Sequence, residues 1–362
     1  MSNFNILKVA LLAAAAAVTL SAGAQAAGKI VISNWDGYMP ADMLERFTAE
    51  TGIEGELAVH ATNEEIMGKV VAGKGKGYDV LFVSSPFVEA LKNLGLAAEL
   101  DHAKIPNLKN LYPEATKLEY DPGNTVSVPY AWGTTGLCYR SDLVGSTPAS
   151  WMDLLQPSAA LKGKVTMLST DRWLMAAAFL AEGKSVNSTD AADLEAAKAL
   201  LIAAKKDLLA YDDTTFYSKL VSGEAELVHA WDGWCNYGIA ENADIKYVIP
   251  KEGSDLWVDT MVVTAASENK DAAMQFINFV LQEDNGAWVP GNILYKVPNK
   301  AAMEALDPAL IEQFPNLGMT PAELLQQEQL RDLGAGQKAF SKTVPAILAP
   351  RSPDRSPHAA DA

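Results

Sequence analysis

Alternation of strand-like and helix-like segments is the feature of this sequence that most limits its possible folds. Short apolar runs alternate with amphipathic segments that end at glycine, in the order KIVISN (29–34), a helical pattern (40–52), IEGELAV (53–59), NEEIMGKVVAG (63–73) and YDVLFV (78–83). Strands separated by single helices form βαβ units, which place parallel strands in one sheet and helices on both of its faces. The sequence therefore predicts an α/β fold.

A second α/β series follows a change of character at TVSVPYAWGTTGLCYRSD (125–142), where two extended runs flank Gly133. We interpret this stretch as a crossing between two domains. The later predicted strands are 164–168, 208–211, 225–230, 245–250 and 256–265, and the later predicted helices include 172–183, 190–206, 214–222 and 233–242. Two similar α/β units joined by extended crossings predict a two-lobed molecule with a ligand beyond the carboxyl ends of its strands.

The first 26 residues have the pattern of a cleavable secretory signal peptide. Lys8 supplies a positive charge, VALLAAAAAVTL (9–20) is apolar, and AQA (24–26) provides a small-x-small cleavage site. The apolar run is shorter than the roughly 20 residues that a transmembrane helix needs. We therefore expect an exported, periplasmic protein whose mature chain begins near Ala27. The Pro- and Ala-rich segment 349–362 is predicted to be a disordered tail.

Charge and cysteine content limit the classes of partner. The formal net charge of −16 argues against nucleic acid and against an anionic membrane surface, because both attract clustered Lys and Arg. Cys138 and Cys235 could form a disulfide in an exported protein or remain two buried thiols, and the sequence leaves both alternatives open. Neither cysteine belongs to a CxxC or CxxH pair, so we predict no metal site and no cofactor.

Aromatic, acidic and hydroxyl side chains follow several of the predicted strands. These residues are Trp35, Asp36 and Tyr38, then Ser84 and Ser85, then Asp171 and Trp173, and finally Trp231, Asp232 and Trp234. Within the strand 256–265, Trp257 and Asp259 are two positions apart and so project from one face. An indole face attracts a cation, and a carboxylate holds an ammonium group by charge-assisted hydrogen bonds. The pattern therefore predicts a site for a small organic amine.

Structural interpretations compete with this prediction at several positions. Asp232 could instead cap the predicted helix 233–242, and Asp36, Asp171, Ser84 and Ser85 also precede helices and could act as caps. Trp132, Trp151 and Trp288 fit core or hinge packing better than a ligand wall. A purely structural role suits Trp257 and Asp259 less well, because a carboxylate packed against an indole inside a sheet needs a partner for its charge.

The chain resembles the periplasmic polyamine-binding proteins of bacteria, which deliver spermidine or putrescine to ABC importers. Matching segments run in family order across nearly the whole predicted mature chain, among them NWDGYMP (34–40), YDVLFVSS (78–85), VPYAWGTTG (128–136), PKEGSDLWVDTMVV (250–263) and YKVPN (295–299). The resemblance implies a type II periplasmic-binding-protein fold, with each lobe a mixed, mostly parallel sheet flanked by helices. It also implies a monomeric binding protein, not an enzyme, with an inner-membrane ABC permease as its partner.

The resemblance also implies lobe boundaries and ligand-binding residues. We expect one lobe from 27–132 and 258–300, and the other from 133–257 and 301–348. The family's ligand positions fall on an aromatic pair, a serine, two tryptophans that sandwich the methylene chain, an acid that holds an amine, and a wall tyrosine. In this chain they are Trp35, Tyr38, Ser84, Trp231, Trp257, Asp259 and Tyr295.

Other family positions differ, and these departures leave the exact ligand open. Spermidine binders have an aromatic residue at Pro86, an acid pair at Thr170 and Trp173, and a glutamine at Leu330, whereas putrescine binders have acids at Gly37 and Trp234. One amine anchor, Asp259, is therefore matched. A diamine fits if Asp36, Asp171 or Asp232 provides a second anchor. The alternatives are a methylated or quaternary ammonium, a guanidino compound or an amino acid, or a chemosensory role for the same fold.

Overall fold

The structure is a computed structural model that describes residues 27–349. The predicted signal peptide (1–26) and residues 350–362 of the predicted tail lie outside the described residues. Within the described part, no helix combines the length and the apolar character that a membrane crossing requires.

The described residues form ten strands in one hydrogen-bonded mixed sheet. The strands are β1 (Ala27–Asn34), β2 (Ile53–Val59), β3 (Val80–Ser84), β4 (Ser127–Arg140), β5 (Val165–Met167), β6 (Ala210–Tyr211), β7 (Leu227–Trp231), β8 (Ile245–Val248), β9 (Asp255–Val263) and β10 (Glu328–Gln329). Their order is β2-β1-β3-β9-β4-β7-β5-β6, with β8 added on β4 and β10 added on β9.

The helices alternate with the strands and then fill most of the C-terminal part. They are α1 (Met43–Thr51), α2 (Asn63–Ala72), α3 (Ser85–Asn93), α4 (Trp151–Leu155), α5 (Asp171–Ala181), α6 (Ala191–Ala204), α7 (Phe216–Ser222), α8 (Asp232–Glu241), α9 (Lys270–Val280), α10 (Glu283–Trp288), α11 (Lys300–Glu304), α12 (Pro308–Gln313), α13 (Pro321–Leu324) and α14 (Gln337–Leu348).

The sheet has two parallel ends joined by two long antiparallel strands. At one end β1 pairs in parallel with β2 and β3, and at the other β5 pairs in parallel with β6 and β7. Between them β4 and β9 run antiparallel and pair from Ser127 with Val262 to Thr134 with Leu256. The predicted α/β class with two mostly parallel units is confirmed.

The predicted lobe boundaries lie at a single level of this β4–β9 pair. Trp132 is paired with Val258, and Gly133 with Trp257. A chain divided between 132 and 133 and between 257 and 258 would thus be cut across both strands at the same point. The boundaries of the lobes at these positions remain a prediction.

Buried apolar side chains cover both ends of the sheet, and one continuous core cluster includes them. Every residue of β3 is buried, as expected for a strand covered on both faces, and Phe47 of α1 packs edge-on against Phe276 of α9 at 5.3 Å. At the other end, α5 buries an unbroken run from Leu174 to Leu180. This packing fixes the carboxyl ends of the strands, where the predicted ligand residues lie.

A disulfide joins Cys138 on β4 to Cys235 on α8, which decides between the two alternatives left by the sequence. Both residues are fully buried, and 97 positions separate them along the chain. Such a cross-link restricts the unfolded chain and thereby stabilises the fold. It also fixes the start of α8 against the sheet, next to Trp231 and Trp234.

Two short elements were missed by the sequence prediction. Helix α4 begins with a complete capping box in which Ser150 and Asp153 exchange side-chain and backbone hydrogen bonds, a signal present in the sequence SWMD. Strand β10 has only two residues, and it is extended because Glu328 and Gln329 pair with β9. A strand of that length leaves no periodicity to detect.

Candidate functional site

A cavity of about 1270 Å³ lies between the two ends of the sheet. Twelve of the thirteen predicted site residues line it: Trp35, Asp36, Tyr38, Ser84, Ser85, Asp171, Trp173, Trp231, Trp234, Trp257, Asp259 and Tyr295. They come from the carboxyl ends of β1, β3, β5 and β7 and the turns or helices that follow them, from β9 and from the segment before α11. The structure therefore brings together residues that are up to 260 positions apart, as the positions Trp35 and Tyr295 show.

Asp259 is held at the cavity wall by two neutral donors. Because β3 and β9 are antiparallel, Ser84 lies directly opposite Asp259, and its hydroxyl donates to the carboxylate at 2.6 Å. The phenol of Tyr38 donates to the other carboxylate oxygen at 2.8 Å. Burial raises the pKa of Asp259 to about 6, although both hydrogen bonds oppose this rise. The ionised carboxylate is thus poorly solvated, and neither of its two hydroxyl donors carries a positive charge that would neutralise it.

Asn63, a residue that the sequence analysis did not single out, positions Ser84. Its amide NH₂ donates to the Ser84 hydroxyl at 3.1 Å, and its amide oxygen accepts the Ser84 backbone N–H at 2.9 Å. Asn63 begins α2 and also lines the cavity. It opens the segment NEEIMGKVVAG (63–73), which the sequence analysis described only as amphipathic.

The turn after β1 places Tyr38 over Asp259. Gly37 in this turn has a φ of 66°, a conformation that favours glycine. The backbone carbonyl of Tyr38 accepts a hydrogen bond of 2.6 Å from Tyr130. The ring of Trp35 packs edge-on against that of Tyr38 at 5.4 Å.

Indole and phenol rings form most of the remaining wall. Trp173 meets Trp231 edge-on at 5.4 Å, and Trp257 meets Tyr295 edge-on at 5.3 Å. Trp234 packs at 5.6 Å against Tyr237, a further lining residue that was not predicted. Edge-to-face pairs of this kind fix ring orientation, which leaves rigid apolar surfaces facing the cavity.

Gly133 allows Trp257 its position. A β-carbon at Gly133 would lie 2.4 Å from the Trp257 ring and 2.6 Å from a carboxylate oxygen of Asp232. Both contacts are too short for any side chain. The glycine at the centre of β4 is therefore required by close packing, in addition to any role in a crossing between lobes.

Asp232 does not line the cavity, which corrects its prediction as a ligand residue. Its side chain is 1% exposed and forms an ion pair with Lys296, which is 2% exposed. The same carboxylate accepts the backbone N–H groups of Gly233 at 2.8 Å and Thr134 at 3.2 Å. The alternative role as a helix cap also fails in its predicted form, because Asp232 is the first helical residue and Trp231 precedes α8.

The cavity lining is strongly acidic. Besides the predicted Asp36, Asp171 and Asp259, it includes three further acids, Glu64, Asp213 and Asp332. Among the lining residues in the described part, the one basic side chain is Arg172. Its guanidinium donates to the Arg331 carbonyl at 2.7 Å and to Asn187 at 2.6 Å. This balance of charge favours a cationic ligand.

Asp171 and Glu64 form a second acidic locus in the cavity. Asp171 opens α5 at one end of the sheet, and Glu64 belongs to α2 at the other end. Burial raises the pKa of Asp171, and the negative charge of Glu64 raises it further. The cavity lining thus carries one of these carboxylates from each end of the sheet.

The positions at which the sequence departs from known polyamine binders also lie on this lining. Gly37, Pro86, Thr170 and Leu330 all border the cavity. The departures therefore affect the shape and charge of the cavity itself. Within residues 27–349 no group of three or more His, Cys, Asp or Glu is arranged to hold a metal ion.

Comparisons with known proteins place the chain among solute-binding proteins. Residues 42–289 match the family described as bacterial extracellular solute-binding protein. The chain is 32% identical to the spermidine/putrescine-binding periplasmic protein of Salmonella typhimurium over 76% of this chain and 79% of that protein. It is 33% identical to the putrescine/cadaverine-binding protein of Pseudomonas aeruginosa, over 88% of this chain and 94% of that protein.

A solved structure has the same architecture. The chain is similar to the spermidine/putrescine ABC transporter substrate-binding protein of Streptococcus pneumoniae, with a TM-score of 0.73 and 27% identity. The alignment covers 88% of this chain and 99% of that one. The expected two-lobed periplasmic-binding-protein fold is confirmed by this agreement.

Proposed function

Because the chain belongs to the bacterial extracellular solute-binding proteins, a family of binding proteins and not of enzymes, we propose that it captures a polyamine such as putrescine or spermidine for an ABC importer. The observation that carries the proposal is the carboxylate of Asp259, which lies in an aromatic cavity and is bound there by two uncharged hydroxyl donors.

The first ammonium group of the ligand binds Asp259. A primary ammonium carries three N–H donors, and the carboxylate has lone pairs beyond those used by Ser84 and Tyr38. In a cavity partly shielded from water, such a charge-assisted bond is stronger than at the surface. Binding also relieves the cost of holding this carboxylate ionised in poor solvent.

The methylene chain packs on the indoles. Trp231 and Trp257 provide flat apolar faces, supported by Trp173 and Tyr295 respectively. The same faces attract the cationic ends through their quadrupoles, by about 0.5–2 kcal/mol depending on desolvation. An alkyl chain with charged ends uses both properties.

The second ammonium binds between Asp171 and Glu64. Both carboxylates line the cavity. Burial and the charge of Glu64 raise the pKa of Asp171, and a bound cation would favour its ionised form. Trp234 and Trp173 stand where known polyamine binders have acids, so the distal anchor is rebuilt from different residues. This arrangement favours a polyamine over a quaternary ammonium, which needs no hydrogen-bond acceptor at its far end.

The cellular location, oligomeric state and transport partner of the chain belong to the same proposal. The chain is exported through a cleavable signal peptide, acts as a monomer in the periplasm, and presents its ligand-bound form to an inner-membrane permease. Ligand contacts come from both ends of the sheet, so the ligand binds a closed form better than an open one and shifts the population towards closure.

The test is a thermal-shift series on the purified mature chain with putrescine, cadaverine, spermidine, choline, γ-aminobutyrate and glutamate. A ligand stabilises the folded state according to the ratio of its concentration to its dissociation constant. We expect the polyamines to give the largest increases in Tm. A larger increase with choline or with glutamate would overturn the proposed ligand class.

A further inference from the structure

We propose that the buried Lys296–Asp232 ion pair is a positioning element for the ligand-binding aromatic residues, and that Lys296 and Asp232 thereby control affinity without touching the ligand. The inference rests on the proposed function and adds to it two residues that do not line the main cavity. Its basis is a regularity of sequence and structure. Each member of the pair directly follows a cavity-lining aromatic residue, as Asp232 follows Trp231 and Lys296 follows Tyr295.

The pair joins two chain segments that do not otherwise form a common strand or helix. Asp232 opens α8 immediately after β7, and Lys296 lies between α10 and α11. A second bond runs parallel to the ion pair, because the Asn236 amide donates to the Leu294 carbonyl at 2.9 Å. The segment that carries Tyr295 is thus fixed to the helix that follows Trp231.

The ion pair also packs close to Trp257. The carboxylate of Asp232 and the ring of Trp257 both meet the surface of Gly133, where neither leaves space for a β-carbon. Gly233 likewise has no space for a side chain, since a β-carbon there would lie 2.4 Å from the Tyr295 ring. A displacement of Asp232 would therefore reach Trp257 through their shared packing on Gly133, and Tyr295 through the neighbouring Gly233.

The side chains of Lys296 and Asp232 are both buried, so their charges depend on a fixed mutual geometry for compensation. The Asp232 carboxylate accepts hydrogen bonds from the Lys296 ammonium and from two backbone N–H groups. The backbone carbonyl of Lys296 accepts the Trp132 N–H at 3.1 Å. Removing one partner of a buried pair leaves an uncompensated charge that the fold can relieve only by moving or by changing protonation. In this location, movement means displacement of Trp231 or Tyr295.

The test compares Lys296→Met, Asp232→Asn and the double variant with the unmodified chain. Calorimetric titration with putrescine and spermidine, at a temperature where all variants are folded, gives the dissociation constants. We expect each single substitution to weaken binding by about tenfold or more, and the double variant to lose less than the product of the two losses. Lys164→Met is the matched control, since it removes a surface-accessible ion pair with Glu226 away from the cavity.

A measurement without ligand separates this inference from the proposed function. Near-ultraviolet circular dichroism reports the environment of Trp231 once the spectrum of a Trp231→Phe variant is subtracted. We expect Lys296→Met to change that difference spectrum and Lys164→Met to leave it unchanged. If the unmodified chain binds neither polyamine while Lys296→Met alters the spectrum, the proposed function fails and the positioning role stands. Unchanged spectrum and unchanged affinity in Lys296→Met would overturn the positioning role.

Discussion

Two aspartates near Trp257 show how the same side chain serves binding in one place and structure in the other. Asp259 is two residues further along β9, and it is bound by the hydroxyls of Ser84 and Tyr38. Asp232 borders Gly133 together with the Trp257 ring, and it is paired with Lys296. The first carboxylate faces the cavity and the second does not.

The difference lies in which group neutralises the charge. A buried carboxylate needs a counter-charge or enough hydrogen bonds to remain ionised. Asp232 obtains its counter-charge from the chain itself, whereas the raised pKa of Asp259 indicates that hydroxyl donors compensate its burial incompletely. A ligand cation would complete the environment of Asp259 and would find Asp232 already satisfied.

The largest effect that this comparison predicts is the loss of binding in Asp259→Asn. The substitution keeps the size of the side chain and removes the charge that pairs with the ligand ammonium. Loss of one partner from a shielded charge pair costs about 3 kcal/mol, so we expect the dissociation constant for putrescine to rise more than a hundredfold in calorimetric titration.

The matched control for this change is Asp121→Asn. Asp121 is also buried, and it accepts backbone N–H groups from Val126 and Ser127, but it does not line the cavity. The affinity of the Asp121→Asn variant for putrescine should remain close to that of the unmodified chain. Equal losses in the two variants would mean that Asp259 acts on stability and not on the ligand.

The stability of the ligand-free protein should fall in Asp232→Asn and should not fall in Asp259→Asn. Asp232→Asn leaves the Lys296 ammonium without its counter-charge, and we expect a loss of about 3 kcal/mol in the free energy of unfolding. Asp259→Asn removes a carboxylate whose pKa is higher in the folded than in the unfolded chain, so it should preserve or raise Tm at neutral pH. Chemical denaturation of both variants measures the difference, and two losses of similar size would break the comparison.

The structure places one of these two aspartates on the cavity, as the sequence predicted, and the other away from it, for a physical reason. Asp259 shares a strand face with Trp257, so alternation along one strand was enough to place both at a common surface. Asp232 also follows a strand and stands beside tryptophans, but its partner Lys296 is 64 positions away. No local pattern connects the two, and the ion pair exists only after α8 and the segment before α11 have packed together.

The same distinction applies to the fold. Strands β1 and β2 and the helices α1 and α2 were predicted because the periodicity and the terminating glycine of each helix lie within a few residues of one another. Strand β10 depends on Leu256 and Asp255 of β9 as pairing partners, and the disulfide depends on the approach of Cys138 to Cys235. Properties that depend on residues distant in sequence could be stated from the sequence only as alternatives or through family resemblance.

Acidification should weaken polyamine binding through Asp259 by a smaller amount than its removal. The pKa of Asp259 in the free protein is about 6, and the ligand cation requires the ionised form. Below that pH a proton competes with the ammonium, so affinity should fall by about tenfold between pH 8 and pH 5. In Asp259→Asn this part of the pH dependence should be absent, which separates it from the titration of Asp255, whose pKa is also about 6 and whose carboxylate holds Trp173.

The stability of the ligand-free chain should show the reverse sign over the same range. Because the folded pKa of Asp259 exceeds the unfolded value of about 3.9, the folded state binds this proton more tightly. The destabilising contribution of the ionised carboxylate is therefore complete above pH 6 and disappears as the pH falls towards 4. Lower pH would thus weaken ligand binding while favouring the ligand-free fold at this one residue. A dissociation constant for putrescine that stays constant from pH 8 to pH 5 would contradict the view of Asp259 as the carboxylate left for the ligand to neutralise.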